Sequence, residues 1–576
     1  MKLVQKHILL FFLFTLFGGT LFFIPPVFVN RFTTAPALWL QAGIAIGMPC
    51  FIFMKSLRVF LPPPKFLFLV VIVALYYLWR AKWHPEAIVS VALYYSTFFL
   101  FYQFFKDEKD GNKLFHVFTV IAAMLCIWCA GQFARWLPSF HNSLSMTGPF
   151  DNPAGISASL SLLLPFAIYE TCKSNKWRQI MGVIISLVTV VFVILSGARA
   201  AILAVAVIVI AYTIRWIKTG TEIEFLTIYY YLVVAMVGIL FVGLYFIKKD
   251  SANGRILILK CTGQLIAKKP VFGYGKNGFT ANYMNEQALY FTEHPNSKYS
   301  MLADNVRHPF NEYFKNIVEY GGVGFLLFVT IPLYPLYCSR KNNSKKLLTV
   351  RLSLLAIGIC AMFSYPLNYP FVRLMTVALL TFLLAYSHER RMTITNNHLV
   401  KGVVLVISFG LLSFTAFQAM SEREWHTIAH KSIRGETVKM LPRYSSLYTY
   451  MRHNDLFLYN YAAELNVAGL YDESYKIARE CNNLWADYDL QMLMADNTLH
   501  LQQYDKTESY LNKAAAMCPV KFMPLYRLAE LYMETGQTDE ARSLAQKIVE
   551  KDVKIPSPVI GSIKMKMRNF VKESEQ

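Results

Sequence analysis

Apolar runs of roughly 17–22 residues recur along this chain, each long enough to cross ~30 Å of hydrocarbon as a helix. Thirteen can be marked, at about residues 8–28, 36–54, 66–80, 87–105, 115–132, 155–172, 179–196, 200–217, 226–247, 321–338, 347–365, 369–387 and 400–419. Only 16% of the 576 residues are charged, against about a quarter in soluble domains. The expected fold class is therefore all-α: a polytopic membrane protein of about 12–13 transmembrane helices. The first run lacks a small-residue cleavage site and is followed by many others, so it reads as a span rather than a removed signal peptide.

A net charge of +21 invites a nucleic-acid reading, and its distribution argues against one. With the N-terminus placed inside, basic residues gather on alternate connections: Lys2 and Lys6; Lys55, Arg58 and Lys65; Lys106, Lys109 and Lys113. The series continues with Lys173, Lys176 and Arg178; Arg215 and Lys218; Arg340, Lys341, Lys345, Lys346 and Arg351; and Arg390 with Arg391. The opposite short loops carry Arg31, Arg80, Lys82 and Arg135. This is the positive-inside asymmetry, and it spends most of the excess charge on topology. Thirteen spans then put the C-terminal region outside.

Four domains are expected: N-terminal transmembrane helices over 1–247, an outward polar loop over 248–320, further transmembrane helices over 321–420, and a helical domain over 421–576. A connection as long as 248–320 is unusual unless functional. The C-terminal domain repeats, with "GLYDESYKIA" at Gly469, "QQYDKTESYL" at Gln502 and "GQTDEARSLA" at Gly536 aligning at spacings of 33 and 34 residues. That is the period and turn chemistry of tetratricopeptide repeats, and about three would meet the minimum for a stable stack. Such a domain could offer a concave surface to a protein partner, or act only as a stabilising cap. Cys126 and Cys129 form a CxxC inside an apolar run and read as helix-packing residues. Cys481 and Cys518, both in the outer region, could pair in an oxidising compartment.

Ionisable side chains at membrane depth or at helix mouths are costly and therefore functional candidates. Four motifs fall on the outward side: "GPFDNPAGISASL" with Asn152; "LSGARAAILAV" with Arg199; "NGRILILKCTGQLIAKKPVFGYGKNGF" with Arg255, Gly273 and Gly275; and "RHPFNEYFKNIVEYGGVGF" with Arg307, His308, Asn311 and Glu312. Guanidinium forks stay charged and match phosphate oxygens in pairs, so several on one membrane face suit a pyrophosphate on a lipid carrier. Histidine is the side chain most easily used as a base near neutral pH. The "GYGKNGF" glycines would let a backbone approach an anion closely. Structural roles stand beside each: Arg199 could anchor a helix end, Arg255 could face solvent from an amphipathic helix, and His308 could cap the helix that follows. Lys268 and Lys269 read as a solvated face. Asp304 and Glu312 could be bases or structural hydrogen-bond partners, and His294 beside Glu293 is a spare candidate. No spacing resembles a metal site, and no cofactor is expected.

In this order, with this loop between them, the motifs resemble the O-antigen ligase superfamily over roughly residues 140–390. That superfamily includes lipopolysaccharide O-antigen ligases, Wzy-type polysaccharide polymerases and protein O-oligosaccharyltransferases. The resemblance implies a GT-C-like membrane fold and metal-independent, inverting transfer of glycan from undecaprenyl pyrophosphate to an acceptor hydroxyl, on lipid A-core or on a protein. It implies that Arg199 and Arg255 hold the pyrophosphate and that His308 assists the acceptor; Arg307, Asn152, Gly273, Gly275, Asn311 and Glu312, from the same four motifs, are expected on the substrate side. It further implies a multi-pass protein of a bacterial inner membrane with the long loop and C-terminal domain periplasmic. The chain departs from the family's histidine–asparagine pair, because Pro309 and Phe310 separate His308 from Asn311. From another class, a transporter or flippase with a scaffolding tail would show discontinuous helices with charges buried mid-span. Here the charges lie near span ends, Arg373 excepted.

Overall fold

The computed structural model describes residues 2–54, 58–107, 112–140, 146–218, 249–387 and 392–573. The ninth expected span, 226–247, lies outside the described residues, as do Lys55, Lys109, Arg390 and Arg391. In chain order the first helices are Lys2–Phe22 (α1), Thr34–Met54 (α2), Pro64–Arg80 (α3), Pro85–Asp107 (α4), Asn112–Phe133 (α5), Pro153–Thr171 (α6), Lys176–Leu195 (α7) and Arg199–Lys218 (α8). The long loop holds Lys249–Lys268 (α9) and Gly278–Glu293 (α10). Glu312–Ser339 (α11), Lys345–Phe363 (α12), Pro370–Ala385 (α13) and His398–Lys431 (α14) follow. The C-terminal helices are Thr437–Met451 (α15), Asp455–Val467 (α16), Tyr471–Leu484 (α17), Tyr488–His500 (α18), Tyr504–Met517 (α19), Met523–Glu534 (α20), Thr538–Glu550 (α21) and Pro558–Glu573 (α22).

Every expected span that falls within the described residues is a helix. Eight of these helices are long and apolar enough to cross a membrane, while Ile8–Phe22 and Pro370–Ala385 are shorter apolar helices. The protein is an all-α, polytopic membrane protein. One detail was not anticipated: Arg58–Leu61 (β1) and Met392–Thr395 (β2) pair antiparallel, Val59 opposite Ile394. The buried Gln103 amide of α4 completes β1 by bonding both the N–H and the carbonyl of Phe60, at 2.9 and 2.6 Å.

The chain divides into two compact units. The first comprises Met1–Ile247, Phe310–Asn316 and Val323–Arg423; the second comprises Lys248–Pro309, Ile317–Gly322 and Glu424–Gln576.

In the first unit α6 is central, with 83% of its span buried against 28% for α7. Its serines are compatible with that burial because Ser157, Ser159 and Ser161 each return a hydrogen bond to the carbonyl four residues back, at 2.7, 2.9 and 2.8 Å. Phenylalanines lock its neighbours edge to face, as in Phe115–Phe166 at 4.9 Å and Phe17–Phe118 at 5.0 Å.

The loops of this unit sort by parity. At one end β1 joins the α2–α3 loop to the α13–α14 loop, and the Lys106 ammonium donates to the Ala385 carbonyl at 2.7 Å. Asn112 accepts from Tyr169 and Lys173, both at 2.9 Å, and Arg215 donates to the Asn343 carbonyl at 2.8 Å. These are the connections that carry the basic excess. At the other end Arg31 lies over the Phe140 ring at 4.7 Å, Asn152 reaches Tyr365 and Tyr369, and Glu312 accepts from the Leu367 N–H at 3.2 Å.

In the second unit the three repeated segments form the second helices of successive pairs: α17, α19 and α21. Each is entered through one left-handed residue, Gly469 (φ 77°), Gln502 (φ 57°) or Gly536 (φ 74°), so two of the three turns fall on a glycine and the third on a glutamine. Consecutive helices pack on one another from α16 to α22. The long loop belongs to this unit: α10 packs on α17 and α19, the Ala486 N–H donates to the Thr280 carbonyl at 3.1 Å, and the buried Gln287 amide donates to the Met517 carbonyl at 2.7 Å. Cys481 and Cys518 are both buried free thiols.

Candidate functional site

At the less basic end of the first unit, Asn152 caps α6, its side-chain oxygen accepting from the Ala154 and Gly155 amides at 2.9 and 3.3 Å. Its Nδ2 donates to the Tyr369 and Tyr365 hydroxyls at 2.8 and 3.1 Å, and Tyr369 in turn donates to Asp151 at 2.9 Å. The "DNP" of the first motif thus ties the mouth of α6 to the turn before α13. Phe310 joins the same cluster, its ring 5.5 Å from that of Tyr365. Phe310, the second of the two residues between His308 and Asn311, adopts φ 53°, a left-handed conformation that a bulky side chain rarely takes. That turn delivers Asn311 to the N-cap of α11, where it accepts from the Phe314 N–H at 3.0 Å. Arg199 opens α8 at this same end of the unit, because α6 descends from Asn152 and α7 returns.

Arg373 was expected inside a span. In agreement with the span expected at 369–387, Pro370 starts α13, and Arg373 lies in its first turn, donating to the Asn368 carbonyl at 3.3 Å. Its Nε has no hydrogen-bond partner among the described residues. The signal was in the sequence: "YPLNYP" marks a break with a proline at the next helix start.

The second unit holds Arg255, Gly273, Gly275, Arg307 and His308. Arg255 stands on α9, half-buried, next to Gly254, which faces the Leu302 carbonyl. The glycines explain themselves by contact. α11 breaks at Gly321 (φ 68°, ψ −175°), freeing carbonyls at Val318 and Glu319. The Tyr274 and Gly275 amides fill them at 2.8 and 2.7 Å, while the Gly322 amide turns to the Pro270 carbonyl at 2.8 Å. The two backbones lie so close that a Cβ at Gly273 would stand 2.5 Å from the Val318 oxygen, and one at Gly321 only 2.1 Å from the Val271 oxygen.

Arg307 is engaged within this unit. Its Nη2 lies 2.5 Å from Asp455 Oδ2, and its guanidinium sits 4.8 Å from the Trp485 ring. Lys268 is not simply solvated but pairs at 2.5 Å with the buried Glu286. His294 stacks on Tyr290 at 4.7 Å and caps its own helix. Burial pushes the Asp487 carboxyl up to about 6, against hydrogen bonds from Asn305 and the amides of α18 that oppose the shift. Asp455, Trp485 and Asp487 were invisible as site residues, since nothing local links them to a loop more than 140 residues away.

Together the fold and these residues define a multi-pass, all-α membrane protein carrying an arginine- and histidine-bearing loop between α8 and α11. Residues 184–329 match a family model described as O-Antigen ligase. The matched stretch takes in Arg199, Arg255, Arg307 and His308 together, and supports a relationship of this part of the chain to the O-antigen ligase superfamily. It supports a ligase or polymerase of the glycosyltransferase kind, with a lipid-linked glycan as donor and a lipid or protein as acceptor. A comparison with curated proteins finds no match to the chain.

Proposed function

We propose that this protein is a periplasmic-side glycosyltransferase of a bacterial inner membrane, moving glycan from undecaprenyl pyrophosphate to an acceptor hydroxyl, in the first instance on lipid A-core. The observation that carries this is the single family match spanning Arg199, Arg255 and His308. The loop parity of the first unit supports the orientation, because the basic connections gather at the end opposite to Asn152 and Glu312.

Arg199 and Arg255 are assigned to the pyrophosphate. As the sugar–phosphate bond breaks, charge accumulates on the leaving diphosphate, and prearranged guanidinium groups stabilise it without reorganisation. His308 takes the proton of the acceptor hydroxyl as the new glycosidic bond forms, with inversion at the sugar carbon. The carrier diphosphate is already an activated leaving group, so these residues need neither nucleotide nor metal. Asn152, Asn311, Glu312, Gly273 and Gly275 frame the substrate by holding helix mouths and the α11 break in place.

Deletion of the gene, followed by glycan-stained gels of lipopolysaccharide and of proteins, separates the members of the class. Loss of long lipopolysaccharide chains supports the ligase. Loss of protein-bound glycan points to an oligosaccharyltransferase instead, and a shift to single-repeat chains to a polymerase. Arg199→Ala and Arg255→Ala are expected to reproduce the deletion while inserting normally into the membrane. Normal transfer by both would remove the phosphate clamp.

A further inference from the structure

We propose that the C-terminal helical domain is a positioning element of the loop that bears His308, with Asp455 and Trp485 acting as positioning residues through Arg307. This rests on the assignment of His308 to the acceptor proton.

Four hydrogen bonds seat the loop on the domain, at helix ends and at the turn between α17 and α18. The Thr280 carbonyl accepts from the Ala486 N–H, and Gln287 bonds the Met517 carbonyl at 2.7 Å. Asn305 donates to the buried Asp487 at 2.6 Å, and Arg307 meets Asp455 at 2.5 Å. The last two lie within three residues of His308. Asp455 is itself fixed: it stands in the first turn of α16, where a carboxylate is favoured, and its carbonyl accepts from the Cys481 thiol at 3.2 Å. Trp485 is held edge to face by Tyr459 at 5.7 Å.

This arrangement makes Arg307 a poor ligand for a diphosphate. Its charge is met by a carboxylate at 2.5 Å and its plane is covered by an indole, so an incoming anion would have to displace both. A guanidinium held on two sides, one residue before the imidazole, instead fixes where that imidazole can be. Misplacement of a reacting group by about 1 Å costs on the order of 100-fold in rate.

The test uses the full-length protein in lipid nanodiscs, with undecaprenyl-pyrophosphate-linked glycan as donor and a membrane extract of the deletion strain as acceptor. Asp455→Asn and Trp485→Ala are expected to lower kcat by roughly 10- to 100-fold while leaving the donor KM within about twofold. Asp455→Glu and the charge-exchanged pair Arg307→Asp with Asp455→Arg are expected to recover most of the loss. Hydrogen exchange across residues 303–309 is expected to quicken in Asp455→Asn and to return in Asp455→Glu. Normal kcat and unchanged exchange in Asp455→Asn would overturn the proposal, as would an Arg307→Ala variant that raises the donor KM while Asp455→Asn is silent. Arg199→Ala is run beside them: full transfer by that variant would remove Arg199 from the diphosphate site, and no transfer by the wild-type protein above empty nanodiscs would sink the glycosyltransferase assignment itself, independently of the Asp455 result.

Discussion

Asp487 shows how one buried carboxylate ties the loop to the helical domain at a cost that pH can reveal. An ordinary aspartate titrates near 3.9, whereas burial pushes this one up to about 6. Between roughly pH 4 and pH 6 the folded chain therefore binds a proton that the unfolded chain does not, so its contribution to stability rises as pH falls through that window. The gain is on the order of 2–3 kcal/mol. Asp487→Asn cannot make it, and the variant's melting temperature relative to wild type is expected to fall between pH 7 and pH 5. A difference that stays flat with pH would refute this. Other residues at this scale divide by the range of the contact that defines them. Asn152 before Pro153 and Asn311 before Glu312 carry helix-capping chemistry in their immediate neighbours, so their placement at helix mouths was legible. Arg307 was picked out as a charged candidate, but its partners Asp455 and Trp485 follow more than 140 residues later, and only folding brings them together.

Among the elements, the break in α11 is the most informative. An apolar run with a glycine pair reads as one continuous span from Gly321 onward, and the helix in fact begins at Glu312 and breaks at Gly321. What compensates the break is the "PVFGYG" segment, whose amides replace those the helix withdraws. Gly273→Ala and Gly321→Ala each force a Cβ into backbone atoms at a left-handed residue, with nothing flexible to give way. Each is expected to destabilise the protein by about 2–5 kcal/mol, seen as lost thermal stability in detergent. Gly322→Ala is the control, since its Cβ would stand 3.5 Å from the Pro270 oxygen, an ordinary contact. Equal melting temperatures for all three would refute the account. The helix–turn–helix periods of the C-terminal domain were readable for the opposite reason: each repeat satisfies its turn locally, through Gly469, Gln502 and Gly536.

For the molecule as a whole, loop parity predicts which connections share a side. In a cysteine-free background, Trp136→Cys and Lys341→Cys place one reporter on each set of loops. A membrane-impermeant maleimide applied from the periplasmic side is expected to label Trp136→Cys and to spare Lys341→Cys; the reverse pattern would invert the orientation. The sequence alone determined the all-α membrane class, the alternation of basic loops and the repeats of the C-terminal domain. Each of these is written in short-range periodicity: about twenty apolar residues per span, charge on every second connection, and a turn every 33 or 34 residues. Tertiary structure alone decided that the long loop and the C-terminal helices form one compact unit, and that Arg307 is held by Asp455 and Trp485. Those facts rest on hydrogen bonds and ring contacts between residues far apart in the chain, and no periodic pattern encodes the choice of a distant partner.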